Sequence, residues 1–424
     1  MYFFVYFSYI NDLRQQSIRP VWRKRMKKRS DRKNNVWHLV WFVIYMILLG
    51  SHSICGNELS SMDPESTFTA YIISDLHYTH TDHPRDVIVP LMAYADEAAD
   101  AIINEVIARK PDVFILNGDN TNSGAKEDAS YLAQKLQRVK DAGIQVILTT
   151  GNHDFNMSDA DDFEEQYFFL LEMADRDPAS LSYVSVSHGI VFLAMDDNSF
   201  HSGKMGEFSP ETMRWLNRML DKYQGSKIIF LSHHNVLVGR DSDHSSSYRI
   251  QNASLAELLS SKGVRLIFTG HLHSQMLEEE NGMFEVVSSM PYSGLHQYGI
   301  LSIHGNEVSY HTRSIDWKQF GSPELIEAIR VIESNHSDRL SDTFREIIRA
   351  QGYTEEKTEH ILALANRFLY SYQEGTLGSH LSEITSDPSC EDMIEAFWDY
   401  NYGPWMKSVL ESDVRDASSL SFTY

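Results

Sequence analysis

The pattern of hydrophobic and polar residues predicts an α/β domain that begins at residue 68. Short apolar runs with the length of buried strands alternate with longer stretches that repeat apolar residues at helical spacing. The predicted strands are Phe68–Ser74, Asp112–Leu116, Gln145–Thr149, Tyr183–Ser187, Ile190–Met195, Lys227–Leu231 and Val264–Thr269. The predicted helices are Val89–Ala108, Ala129–Asp141, Asp161–Ala174, Pro210–Tyr223 and Leu255–Ser261. Alternating strands and helices are typical of an α/β architecture.

The pattern changes after His273. Three runs predict antiparallel strands, namely Phe284–Val287, Gly299–Ile303 and Glu307–Thr312. From Ser322 onward, apolar stripes recur at helical spacing, and Ser322 followed by Pro323 is a favoured helix start. We therefore predict one domain over residues 68–316 and an all-helical region over residues 322–424, in which the stripes are packing faces.

The N-terminal segment has a different character. Residues 1–35 are basic, residues 36–56 contain the uncharged apolar run Val36–Gly50, and residues 57–67 have the polar composition of a linker. A basic flank before an apolar run is typical of a signal peptide or a membrane anchor, and both alternatives stay open. A start at Met26 would give an ordinary secretory signal. In either case, we expect the rest of the chain to lie outside the cytoplasm, secreted or anchored in the membrane.

Charge and cysteine content exclude several classes of protein. The whole chain has a formal charge of −22 and residues 1–35 contribute +8, so the remaining residues carry −30. This large negative charge disfavours the binding of a nucleic-acid polymer through its phosphates. The two cysteines, Cys55 and Cys390, are too few for a disulfide scaffold or a thiolate metal cluster. Phosphate chemistry would need a local positive centre, which bound metal ions can supply.

Five clusters of polar residues follow predicted strands. They are Asp75-Leu76-His77, Gly118-Asp119, Gly151-Asn152-His153-Asp154, His233-His234 and Gly270-His271-Leu272-His273. Ligands collect beyond the carboxyl ends of strands in open α/β sheets, so all five can converge. In an extended backbone, Asp-x-His and His-x-His would each direct two side chains at one ion, and the glycines would permit sharp bends. Each cluster alone is commonplace in loops, but their joint occurrence indicates a metal site.

These motifs resemble the calcineurin-like metallophosphoesterase superfamily, whose pattern is D-x-H, G-D, G-N-H-[DE], H and G-H-x-H. The resemblance covers roughly Phe68 to Thr312 and implies a four-layer αββα sandwich. It implies two ion sites that share one residue, with the following assignment: Asp75, His77 and His273 on the first ion, Asn152, His233 and His271 on the second, and Asp119 bridging both. It further implies that His153 is the acid over the substrate and that Asp154 orients its imidazole.

The expected cofactors are two divalent or trivalent metal ions. Imidazole, carboxylate and amide donors suit Mn, Fe, Zn, Co or Ni and do not discriminate among them. Two ions about 3.5–4 Å apart clamp the phosphoryl oxygens, and we expect in-line attack by a hydroxide that bridges them. A protonated imidazole can then give its proton to the leaving oxygen.

Within the superfamily, the chain is most similar to the class III cyclic-nucleotide phosphodiesterases. The run from Gly118 to Gly124 resembles their G-D-x-T-[ND]-x-G motif. The Arg that protein phosphatases carry after this Asp is missing, and Asn122 stands where purple acid phosphatases have a Tyr ligand. Asn120 and Asn235 depart from the class III pattern, which has an apolar residue and Pro there. A helical C-terminal appendage also resembles that of sphingomyelinase-like phosphodiesterases.

The expected substrate is a small phosphodiester, either cyclic-nucleotide-like or a lipid or glycerol headgroup. Candidate substrate-binding residues are Asn122, His234, Tyr292 and His296. Two alternatives stay open. One is a phosphomonoesterase of the nucleotidase type, and the other is a non-catalytic metal-binding interaction module, against which the intact ligand set argues.

Overall fold

The computed structural model describes residues 66–80, 90–201, 205–238, 248–400, 402–412 and 414–424. The predicted basic segment, the signal peptide or anchor and nearly all of the linker fall on residues 1–65 and lie outside the described residues. Among the helices that are described, none combines the length and the apolar character needed to cross a membrane.

The described residues form thirteen strands. In chain order they are β1 (Thr67–Ile73), β2 (Val113–Asn117), β3 (Gln145–Thr149), β4 (Asp175–Arg176), β5 (Tyr183–Ser187), β6 (Ile190–Ala194), β7 (Lys227–Leu231), β8 (Leu266–Thr269), β9 (Met276–Glu280), β10 (Met283–Val287), β11 (Gln297–His304), β12 (Glu307–Ser314) and β13 (Ser419–Thr423).

The same residues form eleven α-helices, joined in places by short 3-10 turns. They are α1 (Ala95–Arg109), α2 (Lys126–Asp141), α3 (Ala160–Tyr167), α4 (Pro210–Lys222), α5 (Leu255–Ser261), α6 (Trp317–Phe320), α7 (Pro323–Ala350), α8 (Glu355–Glu374), α9 (Leu377–Ser386), α10 (Cys390–Ala396) and α11 (Tyr402–Leu410).

The strands form two mixed sheets. Sheet one has the order β13-β12-β11-β1-β2-β3, and sheet two has the order β4-β5-β6-β7-β8-β10-β9. Strands β1, β2 and β3 are parallel to one another, and so are β6, β7 and β8. Strand β10 is parallel to β8 as well. Each sheet therefore gathers the carboxyl ends of its parallel strands at one edge, which is where the polar clusters of the sequence follow their strands.

Two hydrophobic cores lie on the two faces of sheet two. Along β6, Ile190, Phe192 and Ala194 belong to the core that also contains β1, β2 and β3, whereas Val191 and Leu193 belong to the core with α4 and α5. Successive side chains of a strand point to opposite faces of its sheet, so this alternation shows that both faces of β6 are buried. Sheet two is thus covered by sheet one on one side and by helices on the other, which is consistent with the expected sandwich.

The sequence predicted most of these elements. Each strand and helix expected between residues 68 and 312 is present, although the helix expected from Val89 begins at Ala95 and the helix expected to reach Ala174 ends at Tyr167. The helix starts at Ser209 and Ser322 are N-caps, since their side chains accept hydrogen bonds from the backbone N–H groups of Thr212 and Leu325. The sequence did not predict β4, β9 and β13.

The prediction that residues 322–424 are all helical is wrong at the C-terminal end. Residues Ser419–Thr423 form β13, which pairs antiparallel with β12 and completes sheet one. Leu420 and Phe422 on this strand, and Tyr424 directly after it, pack against the core between the sheets. The last residues of the chain therefore belong to the α/β fold and not to the helical region.

Helix α7 joins the helical region to the α/β domain. Near its start, Leu325 and Ile329 pack into the core of the α/β domain. Near its end, Phe344 and Ile348 belong to a separate helical core with residues of α8 to α11. One continuous helix therefore contributes to two cores.

Candidate metal centre

The structure brings together all seven residues that the sequence suggested as metal ligands. They lie just beyond strand ends: Asp75 and His77 after β1, Asp119 after β2, Asn152 after β3, His233 after β7, and His271 and His273 after β8. Two groups of nitrogen and oxygen atoms result, and within each group the atoms lie within 4.8 Å of one another. Asp119 belongs to both groups, as expected for a bridging carboxylate.

The first group consists of Asp75, His77, Asp119 and His273. The Nε2 atoms of His77 and His273 are 3.1 Å apart, and Nε2 of His273 lies 3.3 Å from a carboxylate oxygen of Asp75. Nε2 of His77 lies 3.6 Å from a carboxylate oxygen of Asp119. His77 and Asp75 are fully buried. The candidate ligand atoms of this group are therefore close enough to bind one ion.

The second group is formed around His233. Its Nε2 lies 3.3 Å from a carboxylate oxygen of Asp119, 3.2 Å from Oδ1 of Asn152 and 3.3 Å from Nδ1 of His271. Asp119, His233 and His271 make the ionisable part of this group, and Asn152 adds a neutral oxygen. The assignment by resemblance divides the ligands between two ions in the same way.

The donor set fits a pair of divalent or trivalent ions. All of the converging atoms are imidazole nitrogens or carboxylate and amide oxygens, which are ligands of first-row transition metals. Acceptor atoms packed this closely at a buried site need a cation to satisfy them. The residues of the two groups therefore fit a dinuclear site for ions such as Mn, Fe, Zn, Co or Ni.

The backbone of the ligand loops is strained. Five of the seven residues have positive φ: Asp75 (54°), His77 (40°), Asp119 (47°), His271 (70°) and His273 (54°). Such a conformation costs a non-glycine residue about 1–3 kcal/mol and persists only where the surroundings enforce it. The expectation of an extended backbone is therefore wrong. His271 and His273 also fall into different groups, so His-x-His does not point at one ion.

The glycines of the motifs mainly allow neighbouring loops to approach one another closely, and their effect on chain bending is secondary. A Cβ atom at Gly151 would lie 2.0 Å from the backbone nitrogen of Asp119, and one at Gly270 would lie 1.8 Å from Oγ of Ser74. Of the three motif glycines, Gly118 has a positive φ (82°). The loops after β1, β2, β3 and β8 can pack this tightly because two of them lack a side chain at the contact.

Burial and the neighbouring charges set the protonation of the cluster. Burial, together with the charge of His153, lowers the pKa of His77 to about 3. Burial and the charges of His234 and His233 hold the pKa of His271 well below its usual value. Burial raises the pKa of Asp119, but the charges of His233 and His153 outweigh it and hold this pKa well below the usual range. Burial lowers the pKa of His233, but the charges of Asp119 and Asp75 outweigh it and raise this pKa to about 10. Since a metal ion binds neutral imidazoles and ionised carboxylates, His77, His271 and Asp119 already have the binding form, whereas His233 must release a proton when an ion binds.

His153 lies beside the first group without joining it. Its ring is perpendicular to that of His77, with the centroids 4.6 Å apart. Its Nδ1 lies 2.7 Å from the backbone carbonyl oxygen of Asn122. Because a carbonyl oxygen can only accept, Nδ1 carries the hydrogen of this bond and Nε2 is left for another partner. The half-buried ring is therefore fixed in one orientation.

Asp154 does not orient the imidazole of His153, so this part of the sequence interpretation is wrong. Its buried carboxylate accepts hydrogen bonds from Asn120, Thr121 and Gly151. The donors are Nδ2 of Asn120 at 2.9 Å, N and Oγ1 of Thr121 at 2.9 and 3.0 Å, and N of Gly151 at 3.0 Å. Asp154 thereby joins the loop after β2 to the turn after β3.

The four candidate substrate-binding residues lie in different surroundings. Oδ1 of Asn122 is 3.2 Å from Nδ1 of His77, so this buried side chain supports a ligand. His234 is fully buried, with its ring 4.3 Å from that of His271 and its Nδ1 3.5 Å from Asp197. Tyr292 is buried, and His296 packs against Trp317 with Nδ1 3.1 Å from the carbonyl oxygen of Pro291. Their contact with substrate stays a prediction.

Two buried polar residues near the site were not predicted. Asn117 at the end of β2 donates to the carbonyl oxygens of Ser232 and Phe268 and accepts from Thr149, so it joins the two sheets. Glu285 on β10 is fully buried, and its carboxylate accepts hydrogen bonds from the backbone amides of residues 236–238 at 2.6–2.8 Å. These residues begin three positions after His233. A polar residue inside an apolar strand was the available signal.

Comparisons with known proteins agree with this geometry. The family model described as calcineurin-like phosphoesterase matches residues 68–275. An Arcobacter nitrofigilis protein named as a probable glycerophosphodiester phosphodiesterase is 29% identical over 166 residues, which are 39% of this chain and 57% of that protein. A Fibrobacter succinogenes protein named as a probable cyclic nucleotide phosphodiesterase is 27% identical over 167 residues, 39% of this chain and 59% of that protein. The chain thus spans less than two thirds of either relative.

Among solved structures, a dimetal phosphatase from Danio rerio is similar with a TM-score of 0.46 and 13% sequence identity. The similarity covers 59% of this chain and 97% of that protein.

Proposed function

Because residues 68–275 belong to the calcineurin-like phosphoesterase family, we propose that the chain is a dinuclear metal-dependent phosphodiesterase acting on a small phosphodiester. The observation that carries the proposal is the convergence of two donor groups on a shared carboxylate, Asp119, with His153 beside them. Metal ions held by these groups would supply Lewis acidity at a phosphoryl oxygen and activate a water.

His153 supplies the proton in this proposal. Its Nδ1–H is committed to the carbonyl oxygen of Asn122, so Nε2 is the atom that can carry a second proton toward a leaving oxygen. A protonated imidazole in this position stabilises the departing alkoxide by general-acid catalysis. The contact with the ring of His77 keeps the imidazole next to the first donor group.

The remaining residues of the cluster keep the donors in place. Asn122 contacts Nδ1 of His77, which leaves Nε2 of that ring directed at the donor group. Asp154 fixes the loop that carries Asp119 by bonding to the two residues that follow it, Asn120 and Thr121. Such supporting contacts orient ligands and tune a metal centre.

A phosphodiester is favoured over a phosphomonoester. Support comes from the Gly118–Gly124 run, which resembles that of cyclic-nucleotide phosphodiesterases, and from the printed names of the two relatives. Those names point to a glycerophosphodiester or a cyclic nucleotide. We propose a substrate of this class, in which a single negative charge is shared by the two non-bridging oxygens.

Export of the enzyme is part of the proposal. It is supported by the apolar run Val36–Gly50 and by the basic residues that precede it. Cells that express the full chain, and cells that express a chain with Val36–Gly50 deleted, would be treated with an external protease. Protection of both chains inside the cell would contradict export, whereas digestion or release of the full chain alone supports it.

A substrate comparison tests the proposed reaction. The full chain, with Mn²⁺ added, would be incubated with aryl phosphate diesters and with the matching monoesters, and Asp119→Ala would serve as the control. We expect kcat/KM to be higher for the diesters and activity to be lost in the control. A preference for the monoesters would favour a nucleotidase-like enzyme instead.

A further inference from the structure

Gln275 joins the metal-binding loop to the C-terminal part of the chain. It lies two residues after His273 and is 2% exposed. Its backbone N–H donates to the carbonyl oxygen of Gln373, at the end of α8, over 2.9 Å. Its side-chain amide donates to the carbonyl oxygen of Ala417 over 3.0 Å and to the hydroxyl of Tyr310 over 3.2 Å. Two of these three acceptors come from beyond residue 370.

The C-terminal segment fits closely around this residue. Gly375 ends α8 with a φ of 72°, and a Cβ atom there would lie 2.7 Å from Cγ and 3.0 Å from the backbone oxygen of Gln275. The backbone N–H of Ala417 donates to the carbonyl oxygen of Gly375 over 2.7 Å. The loop after β8, the end of α8 and residue 417 are therefore connected in a closed set of contacts.

The metal-binding loop needs support of this kind. His271 and His273 both hold positive φ, a conformation that persists where the surroundings over-determine it. On its N-terminal side, the loop is held by β8 and by the bonds from the N–H of His271 to Asp75, both 3.1 Å. On its C-terminal side, the loop continues into β9, the edge strand of sheet two. Gln275 is the last residue of the loop before this strand.

We propose that Gln275 is a positioning residue through which the C-terminal segment holds His273 in its ligating position. The helical region is then a working part of the metal centre and not a separate appendage. A second contact supports this, because the side-chain amide of Gln297 donates to the carbonyl oxygen of Glu374 over 3.2 Å. The inference rests on the proposed metal-dependent function, since it concerns the affinity of that metal site.

Two glycine variants of the full chain separate the effect on the metal from the effect on stability. Gly375→Ala adds a methyl group against Gln275 at a residue with positive φ. Gly352→Ala is the matched control, because Gly352 also has a positive φ (84°) but a Cβ atom there meets nothing within 4 Å. Both variants strain the backbone at an end of a helix in the same region, and one of them presses on Gln275.

Titration calorimetry with Mn²⁺ would give the Kd and the number of ions bound, and circular dichroism would give the melting temperature. Outer contacts of metal ligands change affinity by about 10–100-fold, so we expect Gly375→Ala to raise the Kd of one of the two Mn²⁺ ions about tenfold. Gln275→Leu, which keeps the volume and loses the amide, should do the same. Gly352→Ala should bind Mn²⁺ as the parent does, whatever its melting temperature.

Equal Kd values for the parent, Gly375→Ala and Gln275→Leu would overturn the positioning role while leaving the metal centre intact. Equal weakening in Gly375→Ala and Gly352→Ala would also overturn it, since the loss would then follow backbone strain alone. A parent chain that binds no Mn²⁺ is a different result, because it would contradict the proposed function itself.

Discussion

The Nδ1 atom of His153 lies 2.7 Å from the backbone carbonyl oxygen of Asn122, and this contact orients the imidazole. The side chain of the same asparagine contacts Nδ1 of His77, one of the metal-site residues. One residue of the loop after β2 therefore fixes two imidazoles whose centroids are 4.6 Å apart. The proposed proton donor and the candidate metal site therefore share one support.

Replacement of His153 should slow the reaction without removing metal. His153→Ala is expected to lower kcat by about 10²–10⁴-fold for diesters with alkoxide leaving groups and much less for nitrophenol esters, since a good leaving group needs no proton. Asn152→Ala is the contrasting variant, because it removes a donor oxygen and should lower metal occupancy. Elemental analysis and rate measurements on both variants check this. Equal loss of metal from the two would show that His153 is a ligand.

Replacement of Asp154 should destabilise the fold. Its carboxylate accepts bonds from the buried groups of Asn120, Thr121 and Gly151, and each donor left unsatisfied costs about 1–3 kcal/mol. We expect Asp154→Ala to lower the free energy of unfolding in urea by about 3 kcal/mol or more. The exposed Asp161→Ala is the control. Unchanged stability with a selective loss of turnover would restore the role of orienting His153.

The buried carboxylate of Glu285 should matter to a similar extent. Glu285→Ala leaves the backbone amides of residues 236–238 without their acceptor, and we expect a loss of about 3 kcal/mol or more in the free energy of unfolding. Glu285→Gln keeps one acceptor oxygen and should lose less. Urea unfolding of both variants would check the order. A Gln variant that is less stable than the Ala variant would contradict this reading of the contacts.

The last strand should stabilise the α/β domain. The ring of Phe422 stacks on that of Phe284 with 5.0 Å between centroids, and the guanidinium of Arg265 lies 4.7 Å from its centroid. Phe422 is half-buried, so Phe422→Ala should lower the free energy of unfolding by about 2 kcal/mol. Ser421→Ala, an exposed neighbour on the same strand, should change it little. Equal unfolding midpoints in urea for the two variants would show that β13 does not contribute.

The sequence was informative where local pattern and structure coincide. The parallel strands are short apolar runs, and each of five motifs directly follows one of them, so their meeting at the sheet edges follows from topology. Asn152, His233 and Asp119 could thus be placed together before any distance was known. The division of ligands between two ions came from the resemblance.

Features that depend on distant partners could not be predicted. Strand β13 is five residues long and gains its stability from pairing with β12, about a hundred residues earlier. Two of the partners of Asp154, Asn120 and Thr121, lie 34 and 33 residues upstream in the loop after β2, and proximity in sequence wrongly suggested His153. The positive φ of ligands such as Asp75 and His273 results from packing of the whole site and has no signature in residue type.

The measurement that decides most directly whether this chain is a dinuclear metallophosphodiesterase is a metal reconstitution of the full chain. The chain would be stripped with a chelator and titrated with Mn²⁺, while bound ions and the hydrolysis of an aryl phosphodiester are followed together. We expect no hydrolysis without metal, recovery of hydrolysis as about two ions bind per chain, and loss of both in Asp119→Ala. Full hydrolysis by the stripped chain or by Asp119→Ala would contradict the proposed function.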